Sequence, residues 1–302
     1  MKVAITGAAG MLARDLVSVL EPDYELLLID ILDDCADRGH EFACLDLTDE
    51  EKITPAIRNS NIKLVFHCAA FTNVDGAEEK SEEAYKANAL ATLRVACACR
   101  DAGIPLVTIS TDYVFDGTKE GAYCEFDDTN PASVYGKSKL WSEQLAFHSG
   151  AKVAVVRTSW LFGTGGNNFI KTIRRLCSEK DKISVVNDQH GSPTYTVDLA
   201  EALAVIGKGL IGGRPYEGVW HVTNSGECTW FEFAKEIVSR TGSETVVTPT
   251  TTEKFKRPAP RPRNSVLDNL RWRIEGLPPR RHWTDAFGQY LVQEEKYSLG
   301  QD

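Results

Sequence analysis

Lys2-Val3-Ala4-Ile5-Thr6-Gly7-Ala8-Ala9-Gly10-Met11-Leu12-Ala13 opens the chain, and the architecture follows from it. Lys2 to Thr6 is an apolar, partly β-branched run suited to a buried strand. Beyond the glycines, Leu12, Leu16, Val17 and Leu20 keep the spacing of one helix face. A strand that turns on glycine directly into a helix is the context in which Gly-x-x-Gly carries meaning. Gly7 permits the tight turn, and Gly10 lets the backbone approach a pyrophosphate. The helix N-terminus can hold that group through its free N–H groups and its dipole. Ala13 takes the place of a third glycine, where a small residue still lets helix and strand pack closely. The competing account is a turn without a ligand.

The pattern then repeats. Glu25 to Asp30 reads as a second strand ending in an acid, about twenty residues beyond the glycines. An acid there accepts from a ribose 2′-hydroxyl and repels a 2′-phosphate, which favours NADH; Arg38 is a candidate to offset it. Asp46-Leu47-Thr48-Asp49 ends a short third strand near the adenine, with helix capping by Thr48 or Asp49 an equal and compatible reading. Leu64 to Ala70 is a fourth strand. An acidic amphipathic helix runs from Ala77 to Arg100, and Pro105 to Ser110 is a fifth strand that delivers Thr111 to its carboxyl end. Val153 to Arg157 is a sixth. Strands alternating with helices predict a Rossmann-type, doubly wound parallel α/β sheet whose ligands sit beyond the strands' carboxyl ends.

Tyr135-Gly136-Lys137-Ser138-Lys139 supplies the chemistry. At i and i+4 on a helix, Tyr135 and Lys139 share a face. An ammonium beside a phenol favours the phenolate, so the tyrosine pKa is expected to fall towards neutrality, as acid–base work requires. Alone, the spacing is common; an exposed tyrosine beside a solvated lysine is the plain alternative. Thr111 and the glycine turn at the same sheet edge give the pair its context.

After Thr158 the texture changes to glycine-rich and polar loops, a helix over Val197–Leu210, a strand over Gly218–Val222 and a basic, proline-rich loop from Phe255 to Arg263. Residues 1–158 are read as a dinucleotide-binding domain with the catalytic residues, and 159–302 mainly as a smaller α/β substrate-binding domain, parts of which can return to the main sheet. The 302 residues allow a sizeable core. A net charge of −9 argues against general nucleic-acid or anionic-membrane binding. No apolar run reaches membrane-span length and the N-terminus has no signal pattern, so a cytoplasmic location is expected. The eight cysteines lack C-x-x-C spacing, which favours free thiols over zinc or disulfides.

In this order, the motifs resemble those of the extended short-chain dehydrogenase/reductases and, within them, the dTDP-4-dehydrorhamnose reductase family. The resemblance covers nearly the whole chain. Beyond the glycine turn and Tyr135–Lys139, it rests on Ala69–Asp75, Ser110–Gly117, Arg157–Trp160, Asp188–Thr194 and Asn264–Asp268. Phe71 replaces a usual tyrosine. The resemblance implies reduction of a sugar-nucleotide C4 ketone by NADPH or NADH, a small-molecule partner and compatibility with a homodimer. Tyr135 would be the proton donor, Lys139 would hold the nicotinamide ribose, and Thr111 would bond the same substrate oxygen. Asn88 would support a relay behind the lysine.

The implied cofactor contacts are Gly7, Gly10, Met11, Leu12, Asp30, Asp46, Leu47, Ala69, Ala70, Tyr135 and Lys139. Substrate contacts would be Thr72, Val74, Tyr113, Trp160, Asn168, Gln189 and Arg257, the last from a loop that also offers Arg261 and Arg263 to a diphosphate. Trp160 as core, Thr111 as a turn cap and the arginine loop as solvated surface are the plain alternatives. Some relatives bridge dimer carboxylates with a metal; Asp15 and Asp198 lie near those positions, but no metal site is predicted. A C4 epimerase or another 4-ketoreductase on the same fold remains open. A dehydratase is disfavoured because Tyr113 stands where a Thr-Asp-Glu base would be. A regulatory subunit is disfavoured by the intact Tyr135 and Lys139.

Overall fold

The computed structural model describes residues 1–33, 39–58 and 60–299; the Arg38 alternative and Cys35 lie outside them. β1 (Lys2–Thr6), β2 (Glu25–Asp30), β3 (Glu41–Cys44), β4 (Ile62–His67), β5 (Leu106–Thr111) and β6 (Val153–Thr158) join a seventh strand, Gly218–His221, in one sheet. Its order is Gly218–His221, β6, β5, β4, β1, β2, β3, with every pairing parallel. Chain direction reverses its progress across the sheet between β1 and β4, so the crevice beyond their carboxyl ends is the place a ligand fits.

Alternation along the strands sorts side chains onto the two faces. Val3 and Ile5 join Leu12, Leu16, Leu199 and Leu203 on one face, while Ala4, Leu27 and Val65 join Ile53, Ile57, Val95 and Cys99 on the other. Helix Thr196–Ile211 packs on helix Met11–Leu20, and Trp220 and Val222 lie in the same core. A strand and a helix from beyond residue 158 are therefore built into the first lobe. Trp272 joins that core too, and Leu267 packs with Phe115 and Tyr123, while other C-terminal segments form a further core around Phe162, Ile173, Phe233, Phe287 and Tyr290, beside a parallel pair of strands, Lys182–Val186 and Val246–Thr250.

Two local expectations are corrected. The third strand ends at Cys44, and Asp46 instead begins a turn in which its Oδ1 accepts from the Thr48 amide at 2.8 Å. The expected continuous helix is broken into Val74–Glu79, Ser81–Tyr85, a π-helical turn at Lys86–Leu90, and Ala91–Ala102. The π turn lets the buried Asn88 face Phe71, whose amide donates to Asn88 Oδ1 at 2.7 Å. No helix among the described residues is long and apolar enough to cross a membrane. The seven described cysteines are free thiols.

Candidate active site

The glycine turn is shaped by two close approaches. Gly7 has φ +69°, and a Cβ there would lie 2.5 Å from the Ala69 nitrogen at the end of β4. Glycine meets both demands. Gly10 caps helix Met11–Leu20 without any side-chain hydrogen bond, leaving the first turn open to an anion. Asp30, at the end of β2, accepts from the Ala9 amide at 2.9 Å and the Leu32 amide at 3.0 Å. It thus braces the glycine turn as well as standing where a ribose would lie. Ala69 and Ala70 follow β4, and Leu47 is buried in the core below. This turn suits a dinucleotide pyrophosphate, because Gly7 lets it pack on the Ala69 backbone while the first helical turn carries no side-chain cap.

Thr111 ends β5, and its hydroxyl oxygen caps the short 3-10 turn Asp112–Val114 by accepting from the Tyr113 amide at 3.2 Å. Helix Val134–His148 begins beside it, capped by Ser133, whose Oγ accepts from the Gly136 amide at 3.1 Å. Gly136 allows the approach: a Cβ there would lie 2.2 Å from the Tyr113 carbonyl oxygen. Tyr135 then sits with Thr111 as a hydrogen-bonding neighbour and Tyr113 edge-on at 5.6 Å.

The expected fall in the Tyr135 pKa does not occur. Burial pushes it up to about 12, opposed by the Thr111 hydrogen bond, and Lys139 is not among its causes. The lysine is turned to the backbone, donating from Nζ to the Ile109 carbonyl at 2.8 Å. Its own pKa is lowered to about 8 by burial, with Glu143 opposing. In this environment the phenol is a held proton, suited to donation rather than to abstraction.

Behind the pair, Asn88 Nδ2 donates to Ser138 Oγ at 2.9 Å and to the Phe71 carbonyl at 3.2 Å. Arg157 and Glu143 form a buried ion pair, with Nη2 to Oε2 at 2.7 Å and Nε to Oε1 at 3.0 Å. Ser110 Oγ donates to the same Oε1 at 2.5 Å.

The residues read as substrate contacts are spread over several places. Thr72 and Val74 flank Asn73, which caps helix Val74–Glu79. Trp160 has φ +46° and stacks flat on Trp230, centroids 3.5 Å apart and planes 7° apart. A Cβ on Gly191 would lie 2.3 Å from the Trp160 ring, so the indole is held between them. Asn168 caps helix Phe169–Glu179, and its Nδ2 donates to the Gly163 carbonyl at 2.7 Å and lies 3.8 Å from Met11 sulfur, beside the dinucleotide turn. Gln189 donates to Thr252 at 2.9 Å. Arg257 lies over the Phe255 ring and 3.7 Å from Asp75, while Arg261 pairs with Asp75 at 2.5 Å. The proline–arginine loop is therefore anchored on the first lobe.

Asp75, Asp112 and Trp230 were not singled out from sequence. Asp75 and Asp112 each lie in a quoted motif, Ala69–Asp75 and Ser110–Gly117, whereas Trp230 gives no local signal. Among the described residues no three His, Cys, Asp or Glu side chains converge as a metal site. Asp15 bonds Thr196, and Asp198 is paired with Arg281 at 2.5 Å and with Asn224 at 2.5 Å.

A doubly wound parallel sheet, a glycine cradle and a Thr–Tyr–Lys cluster at one sheet edge define an extended short-chain dehydrogenase/reductase. The chain belongs to the family described as RmlD substrate binding domain, whose pattern it matches over residues 1–296. It is 40% identical over 284 residues to a Streptomyces griseus dTDP-4-dehydrorhamnose reductase, covering 93% of this chain and 90% of that protein. Two solved structures are similar throughout. A Clostridium acetobutylicum dTDP-4-dehydrorhamnose reductase has TM-score 0.90 and 38% identity, covering 98% of this chain and 100% of that one. The Bacillus anthracis enzyme of the same name, in complex with NADP, has TM-score 0.88 and 38% identity, covering 97% and 99%.

Proposed function

We propose that this chain reduces the C4 ketone of dTDP-4-dehydrorhamnose to dTDP-L-rhamnose, using NADPH or NADH. The observation that carries the reading is the meeting of Thr111 and the buried-proton donor Tyr135 at the crevice edge that also holds the glycine cradle. The sugar-nucleotide reductases named above are relatives over almost their full length and support the choice of substrate.

Gly7, Gly10, Met11 and Leu12 would hold the pyrophosphate, Asp30 the adenosine ribose, and Asp46 and Leu47 the adenine side. Ala69 and Ala70 line the strand end, and Tyr135 and Lys139 hold the nicotinamide ribose. When bound, the reduced nicotinamide supplies a hydride to the carbonyl carbon. Tyr135 gives its phenolic proton to the C4 oxygen as negative charge builds there, so the ketone gains one hydride and one proton. Lys139 keeps a positive charge behind that exchange, and the Asn88–Ser138 hydrogen bond fixes the helix turn that carries both. The residues from 159 onward that gather around Phe162, Phe233 and Phe287 would form the substrate lobe. Trp160, its faces covered by Trp230 and Gly191, would offer the sugar its indole edge, and Tyr113 its ring. Thr72, Val74, Asn168, Gln189 and Arg257 bound the nucleotide end.

The test is a panel of 4-keto sugar nucleotides with each reduced cofactor, followed by loss of reduced-nicotinamide absorbance. The dTDP-4-dehydrorhamnose reaction should be preferred, and Tyr135→Phe should lower kcat by roughly 10²-fold or more while cofactor affinity changes little. No turnover of any keto sugar with either cofactor would refute the reading.

A further inference from the structure

Asp112 is a carboxylic acid beside the proton donor for which the scheme above has no use. Its residue is 2% exposed, at the carboxyl end of the central strand β5. Its Oδ1 accepts the Thr111 hydroxyl at 3.0 Å, while the buried Oδ2 has no partner of good hydrogen-bond geometry, the Ser265 hydroxyl being the neighbouring donor to this carboxyl. Burial raises its pKa to about 6, opposed by the Ser265 and Thr111 hydroxyls and by backbone amides; no cation contributes. The titratable groups facing it are the phenols of Tyr113, on its own turn, and Tyr135, on helix Val134–His148. Arg261 and Asp75, from the proline–arginine loop and helix Val74–Glu79, bear on Tyr113. From the C-terminal segment comes Ser265, whose hydroxyl donates to the His190 carbonyl at 3.3 Å.

The Thr111 hydroxyl has one proton and two lone pairs. One lone pair takes the Tyr113 amide, and the other faces the Tyr135 phenol. When Asp112 is ionised, the proton is committed to its carboxylate, and Thr111 offers only lone pairs to an oxygen in the crevice. A substrate oxygen gaining negative charge is then repelled. When Asp112 is neutral with its proton on Oδ1, the direction of that hydrogen bond reverses. Thr111 then accepts from both Asp112 and the Tyr113 amide, so its own proton and that of Tyr135 are both free to point into the crevice at the substrate.

We propose that Asp112 is a positioning residue for the reduction: its neutral form turns the Thr111 proton towards the C4 oxygen, and its ionised form turns it away. The inference rests on the reduction proposed above. The proton that comes and goes on Asp112 is exchanged with solvent and is not the one delivered to C4.

Asp112→Asn tests it, because the amide nitrogen can donate permanently to the Thr111 oxygen. An oxyanion donor is worth about 10²–10³ in rate, which bounds the effect. With saturating cofactor and dTDP-4-dehydrorhamnose, kcat of the unaltered protein should fall about tenfold or more between about pH 5 and about pH 8, centred near 6. In Asp112→Asn the same step should shrink to about twofold or less. An unchanged step in the variant would overturn the proposal. A second measurement needs no turnover. The infrared difference between the unaltered protein and Asp112→Asn should contain a protonated-carboxyl band that disappears over the same pH range and moves in Thr111→Val. Absence of that band, or its indifference to Thr111→Val, would also overturn it. Failure of every keto sugar to react would refute the reduction itself, and the infrared result would still decide the Asp112–Thr111 coupling.

Discussion

A methyl group on Gly136 would lie 2.2 Å from the carbonyl oxygen of Tyr113. The helix that carries Tyr135 and Lys139 thus meets the Thr111 turn backbone to backbone, and no side chain can stand between them. Gly136→Ala should push the two apart. Displacements of about 1 Å in an active site can cost about 10²-fold, so kcat should fall by roughly that factor. Far-ultraviolet circular dichroism should stay the same; an unaltered kcat would show that the contact does not set the geometry.

Trp230 should matter to substrate binding without touching it. Its ring lies flat on Trp160, whose left-handed backbone alone would not fix the indole. Aromatic pairs contribute about 0.5–1.5 kcal/mol, so Trp230→Ala should raise KM for the sugar nucleotide by roughly 3- to 10-fold. Trp230→Phe should recover much of the loss. A fall in kcat with KM unchanged would contradict this.

Asp112 should make stability depend on pH. Its pKa is raised from 3.8 to about 6 on folding, so the folded state holds this proton more tightly than the unfolded state does. The favourable contribution is complete below about pH 4, declines as pH rises through about 6 and is gone above. Asp112→Asn should therefore be more stable than the unaltered protein by about 1–3 kcal/mol near pH 7.5, with the difference vanishing towards pH 4. Urea unfolding at the two pH values measures it.

Glu143 and Arg157 are 2% and 5% exposed, and each is the other's compensating charge. Glu143→Gln leaves the guanidinium buried over the Phe115 ring and beside the neutral His221, whose pKa burial lowers to about 3. A broken buried pair costs about 3–5 kcal/mol, and chemical denaturation should show a loss of that order. A loss below about 1 kcal/mol would mean that water reaches the pair.

The parallel sheet was legible because its signals are local: apolar runs about five residues long, glycine turns, and acids at strand ends. The catalytic cluster was legible as residue types in sequence order. What escaped depends on partners far along the chain. The π turn at Asn88 forms because the Phe71 backbone, 17 residues earlier, takes its side chain. The Trp160–Trp230 stack joins residues separated by two helices, one of which packs into the first lobe. Arg257 and Arg261 read as free cations, yet both lie against Asp75. The Tyr135 pKa went the other way because spacing shows a neighbouring charge but not the depth of burial, and here burial is the larger effect.

Asp30 has a consequence for how this chain could change its cofactor. Its two oxygens hold the Ala9 and Leu32 amides, so the acid that would discriminate against a 2′-phosphate is also a strut of the glycine turn. A single exchange to a neutral or basic residue would remove the repulsion and loosen the cradle together. Cofactor preference and loop integrity are therefore coupled traits in this chain, and a switch would need a second substitution that returns an acceptor to the Ala9 amide.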